Sequence, residues 1–293
     1  MSKPKRRRSV IIFLFILLLA LLLAAELLYS NYAITVSRYE VRSEKEEGHI
    51  RISLVSDLHC REFGSGNARL LKKLADEKPD IIVLAGDMIE ADADGEEIER
   101  VCAFVSAAKE IAPVWYGLGN HEYHYIENHG AGLEEKLAEA GAVVLDSAFA
   151  DIEINGTPVR IGGYGGYYRT PHLTSSNADK QAADMLFFDE FENTERFKLL
   201  INHIPTNWLD WDYRDKYPVD LVLSGHYHGG IVRIPLIGRG LYAPYVGWLP
   251  KYTKGCFVGG QATCILSTGM AGSRGVPRIF NPPEIVVVDV RPE

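Results

Sequence analysis

Ile81-Ile82-Val83-Leu84-Ala85-Gly86-Asp87 is an apolar run that ends on a glycine and a carboxylate. Five apolar residues without alternation suit a strand covered on both faces, as in the parallel sheet of an α/β fold. The flanks agree. Asn67 precedes a helix-period stretch with Leu70, Leu71 and Leu74 on one face, ended by Pro79. Gly95 to Ile111 repeats Ile98, Val101, Cys102, Val105 and Ala108 at helical spacing before Pro113. Strands over 51–56 and 114–118, and a helix over 133–140 ahead of Val143–Leu145, continue the strand–helix alternation through the first half. Later the character shifts. An Asn155-Gly156 hairpin and strands at 197–201, 221–223, 231–234, 263–267 and 285–290 follow with few helices between them.

The chain has 293 residues, 47% of them hydrophobic and 24% charged, enough for a substantial core. Its 31 basic and 39 acidic side chains give −8; without Lys3, Lys5, Arg6, Arg7 and Arg8 the balance is 26 against 39, or −13. That excess argues against a body that wraps nucleic acid. Those five cations precede an apolar run from Val10, which Glu26 interrupts and Leu27, Leu28 and Tyr29 extend to bilayer-spanning length. The length favours a retained anchor over a cleaved signal, and the positive-inside bias puts the N-terminus in the cytoplasm and the body outside. The expected organisation is a basic tail over 1–9, an anchor over 10–29, a juxtamembrane strand and spacer over 30–48, and one folded domain over 49–293.

Five strand ends carry metal-ligating residue types: Asp57-Leu58-His59, Gly86-Asp87, Gly119-Asn120-His121-Glu122, Asn202-His203 and Gly225-His226-Tyr227-His228. Each alone is a common turn sequence. All five directly follow apolar strands, and in open α/β sheets ligands bind just beyond the carboxyl ends of strands, so the clusters are placed to share one rim.

In this order the clusters resemble the signature of the calcineurin-like metallophosphoesterases, over about 51–290. The stretch from Gly225 through Arg233 and Pro235, with Ser273 to Ile285, resembles the exported or membrane-anchored bacterial branch, whose relatives hydrolyse phosphodiesters or split the pyrophosphate of a diacylated UDP-sugar. The resemblance implies a four-layer α/β/β/α sandwich behind an N-terminal transmembrane helix. It also implies that Asp57, His59 and His228 hold one divalent metal, that Asn120, His203 and His226 hold a second, and that Asp87 bridges them. Mixed nitrogen and oxygen donors suit Mn, Fe or Zn. A hydroxide shared by the two cations would attack phosphorus, with His121 on the leaving-group side as proton donor or transition-state stabiliser and Glu122 orienting its ring. The expected partner is a phosphoester of the cell envelope, lipid- or nucleotide-sugar-linked. The alternatives are a phosphomonoesterase and a non-catalytic scaffold, the latter disfavoured because all seven ligand positions and His121 are present.

Three features stay open at this level. Gly162 to Arg169 lacks the ending of a nucleotide loop and reads as an aromatic rim. Arg239 to Phe257, with Tyr242, Tyr245, Trp248, Pro250 and Tyr252, reads first as a loop packed on a sheet edge and second as a surface that leans on a membrane. Cys256 and Cys264 face each other across a three-residue hairpin loop but not across a two-residue turn.

Overall fold

The computed structural model describes residues 3–45, 47–130, 132–165, 185–272 and 276–293. Helix α1 (Lys3–Tyr32) precedes strands β1 (Thr35–Ser43) and β2 (Ile50–Val55), helix α2 (Ala68–Glu77), β3 (Ile81–Ala85), α3 (Gly95–Lys109), β4 (Val114–Gly117), α4 (Asn120–His129), α5 (Leu133–Glu139) and β5 (Ala142–Leu145). Then come β6 (Ala148–Ile154), β7 (Thr157–Gly163), β8 (Phe197–Ile201), α6 (Thr206–Leu209), α7 (Tyr213–Lys216) and β9 (Leu221–Ser224). The chain closes with β10 (Tyr242–Ala243), β11 (Gly247–Trp248), β12 (Gly255–Gly259), β13 (Ala262–Leu266) and β14 (Glu284–Pro292).

Among the described residues the strands form a sheet of order β1-β14-β2-β3-β4-β5, a sheet of order β12-β13-β9-β8-β7-β6, and the small β10-β11 ribbon. Strands β2 to β5 run parallel, as the unbroken apolar runs require. The fully buried β3 shows why. Ile81, Val83 and Ala85 join Phe197, Leu199, Ile201, Leu221 and Leu223 in the layer between the sheets, while Ile82 and Leu84 face α2 and α3. The outer face of the second sheet is covered mainly by aromatics, with Phe188 stacked on Tyr217 at 3.9 Å between centroids and Trp208 wholly buried. Helix, sheet, sheet and an outer helical–aromatic cover make the four expected layers.

Part of the 30–48 segment lies inside this fold, because β1 pairs in parallel with β14 from Thr35↔Glu284 to Ser43↔Pro292. The 231–234 strand does not form; only the isolated bridges Val232↔Ile279 and Arg233↔Gly240 appear there. Asn67 stands at the N-cap of α2 without capping it, since its Oδ1 accepts from the Phe63 N–H instead. Gly259↔Ala262 closes the β12–β13 hairpin on a two-residue turn, so Cys256 sits opposite Ile265 and Cys264 opposite Phe257. One-residue offset sends the two thiols to opposite faces of the sheet, and all four cysteines are free.

Residues Arg8–Tyr32 of α1 are long and apolar enough to cross a membrane, and none of the apolar window is buried. Its last two turns are tied to the body. The Phe280 N–H donates to Glu26 Oε1 at 2.6 Å, the Asn281 N–H to Ser30 Oγ at 3.0 Å, and Asn31 Nδ2 to the Arg278 carbonyl at 3.0 Å.

Candidate metal centre

Strand β2 ends at Val55, and Asp57, His59 and Cys60 then adopt left-handed backbone angles, as do Asp87 after β3 and His226 and His228 after β9. Such angles cost about 1 kcal/mol or more for a residue with a Cβ, so a concentration of them needs a compensating role. Here they turn side chains from separate strands into one space. A Cβ on Gly119 would overlap the Asp87 carboxylate, and one on Gly225 that of Asp57, so glycine at both positions permits the close approach.

Within the cluster, donor atoms of Asp57, His59 and His228 lie within 4.8 Å of one another, and so do those of Asp87, His203 and His226. A third grouping, His59, Asp87 and His121, shares members with both. Asn120 lines the same pocket, a cavity of about 240 Å³ whose wall also includes Glu90, Pro244, Tyr245 and Gly272. All seven expected ligands and His121 therefore meet in one place.

Burial and hydrogen bonding fix the orientation of each group. Asp57 and Asp87 are buried, with Asp57 Oδ1 accepting from the His226 N–H and Asp87 Oδ1 from the His121 N–H, both at 2.9 Å. His203 Nδ1–H donates to the Ala85 carbonyl at 2.6 Å and turns Nε2 toward Asp87 Oδ2, 3.1 Å away. His228 Nδ1–H donates to the Ala271 carbonyl at 3.1 Å and leaves Nε2 on the Asp57 side. A carbonyl on one ring nitrogen selects the tautomer that offers the other nitrogen's lone pair.

Among the described residues, Asp57 Oδ2, His59 Nε2, Asn120 Oδ1 and both ring nitrogens of His226 are buried without a hydrogen-bond partner. Orphaned polar atoms are costly, and so many lone pairs aimed into one pocket fit a set of divalent cations. Burial pushes His226 down to about 3, helped by the neighbouring His203, and His228 down to about 4, so both rings are neutral donors at pH 7. Burial would lower His203 too, but the facing Asp87 and Asp57 raise it to about 10, and a cation held there would have to displace that proton. Burial would raise Asp87, yet His203, His59 and His121 hold it well below the ordinary carboxylate range.

The expected role of Glu122 is corrected. Its buried carboxylate does not orient His121; it accepts from the N–H groups of Asp87, Met88, Ile89 and Gly119 and from Tyr116 Oη, at 2.7–3.3 Å. As the third residue of α4 it reaches back to the Gly119 N–H, half of a capping box. That pattern, a carboxylate three positions after a turn glycine, would have revealed α4, which the sequence reading omitted. Replacing Glu122 by Gln turns an acceptor against those donors and is expected to cost about 3 kcal/mol, or roughly 5–10 °C in melting temperature. An unchanged thermal melt of the purified variant would show the carboxylate to be dispensable.

The carboxylate that does face His121 is Glu90, with Oε2 3.1 Å from His121 Nδ1 and 3.4 Å from His59 Nδ1. It was missed because it lies three residues beyond Asp87 in a loop without periodicity. Burial opposes a charged His121, but Glu90 and Asp87 raise its pKa above the usual value. The Ala91 N–H also donates to His121 Nδ1 at 3.1 Å. When the ring is neutral Nδ1 accepts from Ala91, and when it is charged Nδ1–H donates to Glu90. Either way Nε2, the nitrogen on the Asp87 side of the pocket, carries a proton.

Asn202, next to His203, is structural: its amide donates to the Tyr164 carbonyl at 2.8 Å and its Oδ1 accepts from Trp208 Nε1 at 2.9 Å. Of the 162–169 rim, Gly162 and Gly163 complete β7, and residues 166–169 lie outside those described, as do 273–275.

Comparison with known proteins bears on this arrangement. Residues 50–230 match the calcineurin-like phosphoesterase family. An uncharacterized metallophosphoesterase of Campylobacter jejuni is 26% identical over 306 aligned positions, covering 99% of this chain and 74% of that protein. The phosphodiesterase YaeI of Escherichia coli is 25% identical over 246 residues, covering 82% of each. The solved structure of a 5′-nucleotidase precursor from Thermus thermophilus shares the fold, with a TM-score of 0.50 at 14% identity over 75% of this chain and 49% of that one.

Proposed function

The chain belongs to the calcineurin-like phosphoesterase family, and from that premise we propose that it is a membrane-anchored, two-metal phosphodiesterase or pyrophosphatase acting on an envelope phosphoester. The observation that carries this reading is the convergence of Asp57, His59, Asp87, Asn120, His203, His226 and His228, from five strand ends, on one pocket with unsatisfied lone pairs. In this reading Asp57, His59 and His228 hold one cation, Asn120, His203 and His226 the other, and Asp87 serves both. Bound Mn, Fe or Zn ions would supply positive charge at the phosphoryl oxygens and lower the pKa of water.

The chain's own groups do the rest. Backbone N–H groups of His121 and His226 keep the two carboxylates aimed inward. His121 is 28% exposed at the pocket wall, and in this reading its Nε2–H passes a proton to the departing oxygen. Glu90 keeps that ring oriented and favours its charged form. The positive N-terminal tail ahead of the apolar α1 supports a body outside the cytoplasm. A phosphodiester preference is supported by the likeness to the Escherichia coli phosphodiesterase.

The test is to chelate the purified full chain, restore it with Mn or Zn, and compare bis(4-nitrophenyl) phosphate with 4-nitrophenyl phosphate. Diester hydrolysis should be restored by metal and exceed monoester hydrolysis by about tenfold or more. Faster monoester turnover would make the protein a phosphomonoesterase, and no turnover of either ester or of a UDP-sugar pyrophosphate by the metal-loaded chain would make it a scaffold.

A further inference from the structure

Between the metal pocket and the end of α1 lies a lobe, residues 231–255, whose chemistry the reaction does not use. It is pinned at its base: Ala243 and Thr253 are buried, Arg233 Nη1 donates to Thr253 Oγ1 at 3.0 Å, and the Arg233 N–H donates to the Ile279 carbonyl at 2.9 Å. Its outer side is apolar. Leu236 is fully exposed, Ile237, Tyr245 and Leu249 are more than half exposed, and Trp248 is 73% exposed. Side chains of this type are seldom left in water along one lobe unless something covers them. The lobe contains Arg233, Arg239, Lys251 and Lys254 and no acidic residue, in a chain whose net charge is −8.

Two connections say what the cover is. On one side, the lobe's base pairs with Ile279, and the next residue, Phe280, lines a groove with Leu22, Leu23 and Tyr29 of α1 and donates its N–H to Glu26. The lobe therefore springs from the point where the apolar helix meets the body. On the other side, Tyr245 stacks on His226 at 5.1 Å and, with Pro244, forms part of the pocket wall. Lys254 pairs with Glu284 at the lobe's base, which leaves Arg239 and Lys251, in a stretch with no acidic residue, together with apolar tips and interfacial Trp and Tyr, to match the boundary of an anionic bilayer.

We propose that the 231–255 lobe dips into the bilayer interface beside α1, so that the metal pocket receives phosphoesters presented from the lipid surface. This rests on reading α1 as an anchor and the pocket as a hydrolytic site. The hairpin tip Leu236-Ile237 and the Trp248-Leu249 edge enter among the acyl chains, while Arg239 and Lys251 meet lipid phosphates. Pro244 and Tyr245 then form the wall between the membrane and the ions' pocket, and a headgroup phosphate crosses it without the lipid leaving the membrane.

The experiment uses the full chain in nanodiscs of phosphatidylcholine and phosphatidylglycerol, with co-elution of protein and disc establishing that α1 is inserted. Phosphatidylcholine brominated near the top of its acyl chains should quench tryptophan emission, and Trp248→Phe should abolish that quenching although the other exposed indole, Trp211, remains. Equal quenching in the variant, or none in the wild type with α1 inserted, overturns the proposal. Activity is then read on two esters with one leaving group: bis(4-nitrophenyl) phosphate in water, and a diacylglycerol 4-nitrophenyl phosphodiester embedded in the discs. The variant combining Leu236→Ser, Ile237→Ser, Trp248→Ser and Leu249→Ser should lose about tenfold or more on the embedded ester and leave the soluble one unchanged. Parallel losses on both, or loss on neither, overturn it as well. Wild type inactive on both esters would instead sink the hydrolytic reading, with the quenching result still deciding where the lobe sits.

Discussion

Asp87→Asn is expected to cost at least about 10³-fold in kcat/KM on bis(4-nitrophenyl) phosphate, equivalent to about 4 kcal/mol. In the proposed reading its carboxylate serves both cation positions, and His59, His121 and His203 all face its Oδ2 at 3.1–3.9 Å. An amide of the same shape still accepts from the His121 N–H, so the loop after β3 keeps its path. What disappears is one negative charge from a buried site in which two bound dications would repel each other. Elemental analysis should find fewer than two metals per chain, and the metal-free melting temperature should fall, because His203 and its neighbours hold Asp87 below the ordinary carboxylate range and a neutral amide loses that pairing. Full metal content together with a rate within about tenfold of the wild type would end the bridging assignment.

His121→Ala is expected to keep its metals and lose about 10²–10⁴-fold in kcat, the usual range for removing a positioned proton donor. The metal content matters because His121 also falls in a grouping with His59 and Asp87, so a ligand role predicts a different outcome: a metal-depleted protein with an unchanged rate per metal. Glu90→Gln separates orientation from donation. Glu90 raises the pKa of His121, so its neutral replacement lowers that pKa, and the protonated form is lost at lower pH. The alkaline limb of the kcat–pH profile should therefore move toward lower pH, with a drop of about tenfold at the optimum. An unmoved limb would show that the contact holds the ring only mechanically.

Much of this was legible in residue order. Asp57, Asp87, Asn120, His203 and His226 each follow an apolar strand closely, and a strand's apolar pattern and its abrupt end are local properties that a sequence displays. The same holds for the membrane-length helix, whose length and flanking charges need no tertiary information. The pairing of carboxylates with histidines was not local. Glu122 follows His121 in sequence, yet helix α4 turns it back under the loops, while Glu90 arrives from the loop after β3. Adjacency in the chain was a poor guide there because successive residues of a helix point about 100° apart.

Sequence alone determined the fold class, the order of the five ligand clusters and the existence of a membrane-length helix, since each follows from hydrophobic period, breaks in it and charge placement. Only the tertiary structure decided that β1 pairs with the far-off β14, that a two-residue turn parts Cys256 from Cys264, that Arg278 and Asn281 lock onto the last turn of α1, and that the 231–255 lobe lies between that helix and the metal pocket. These depend on register and on packing between segments up to 254 residues apart. Such contacts are selected by how whole faces fit together, and no short window of sequence encodes them.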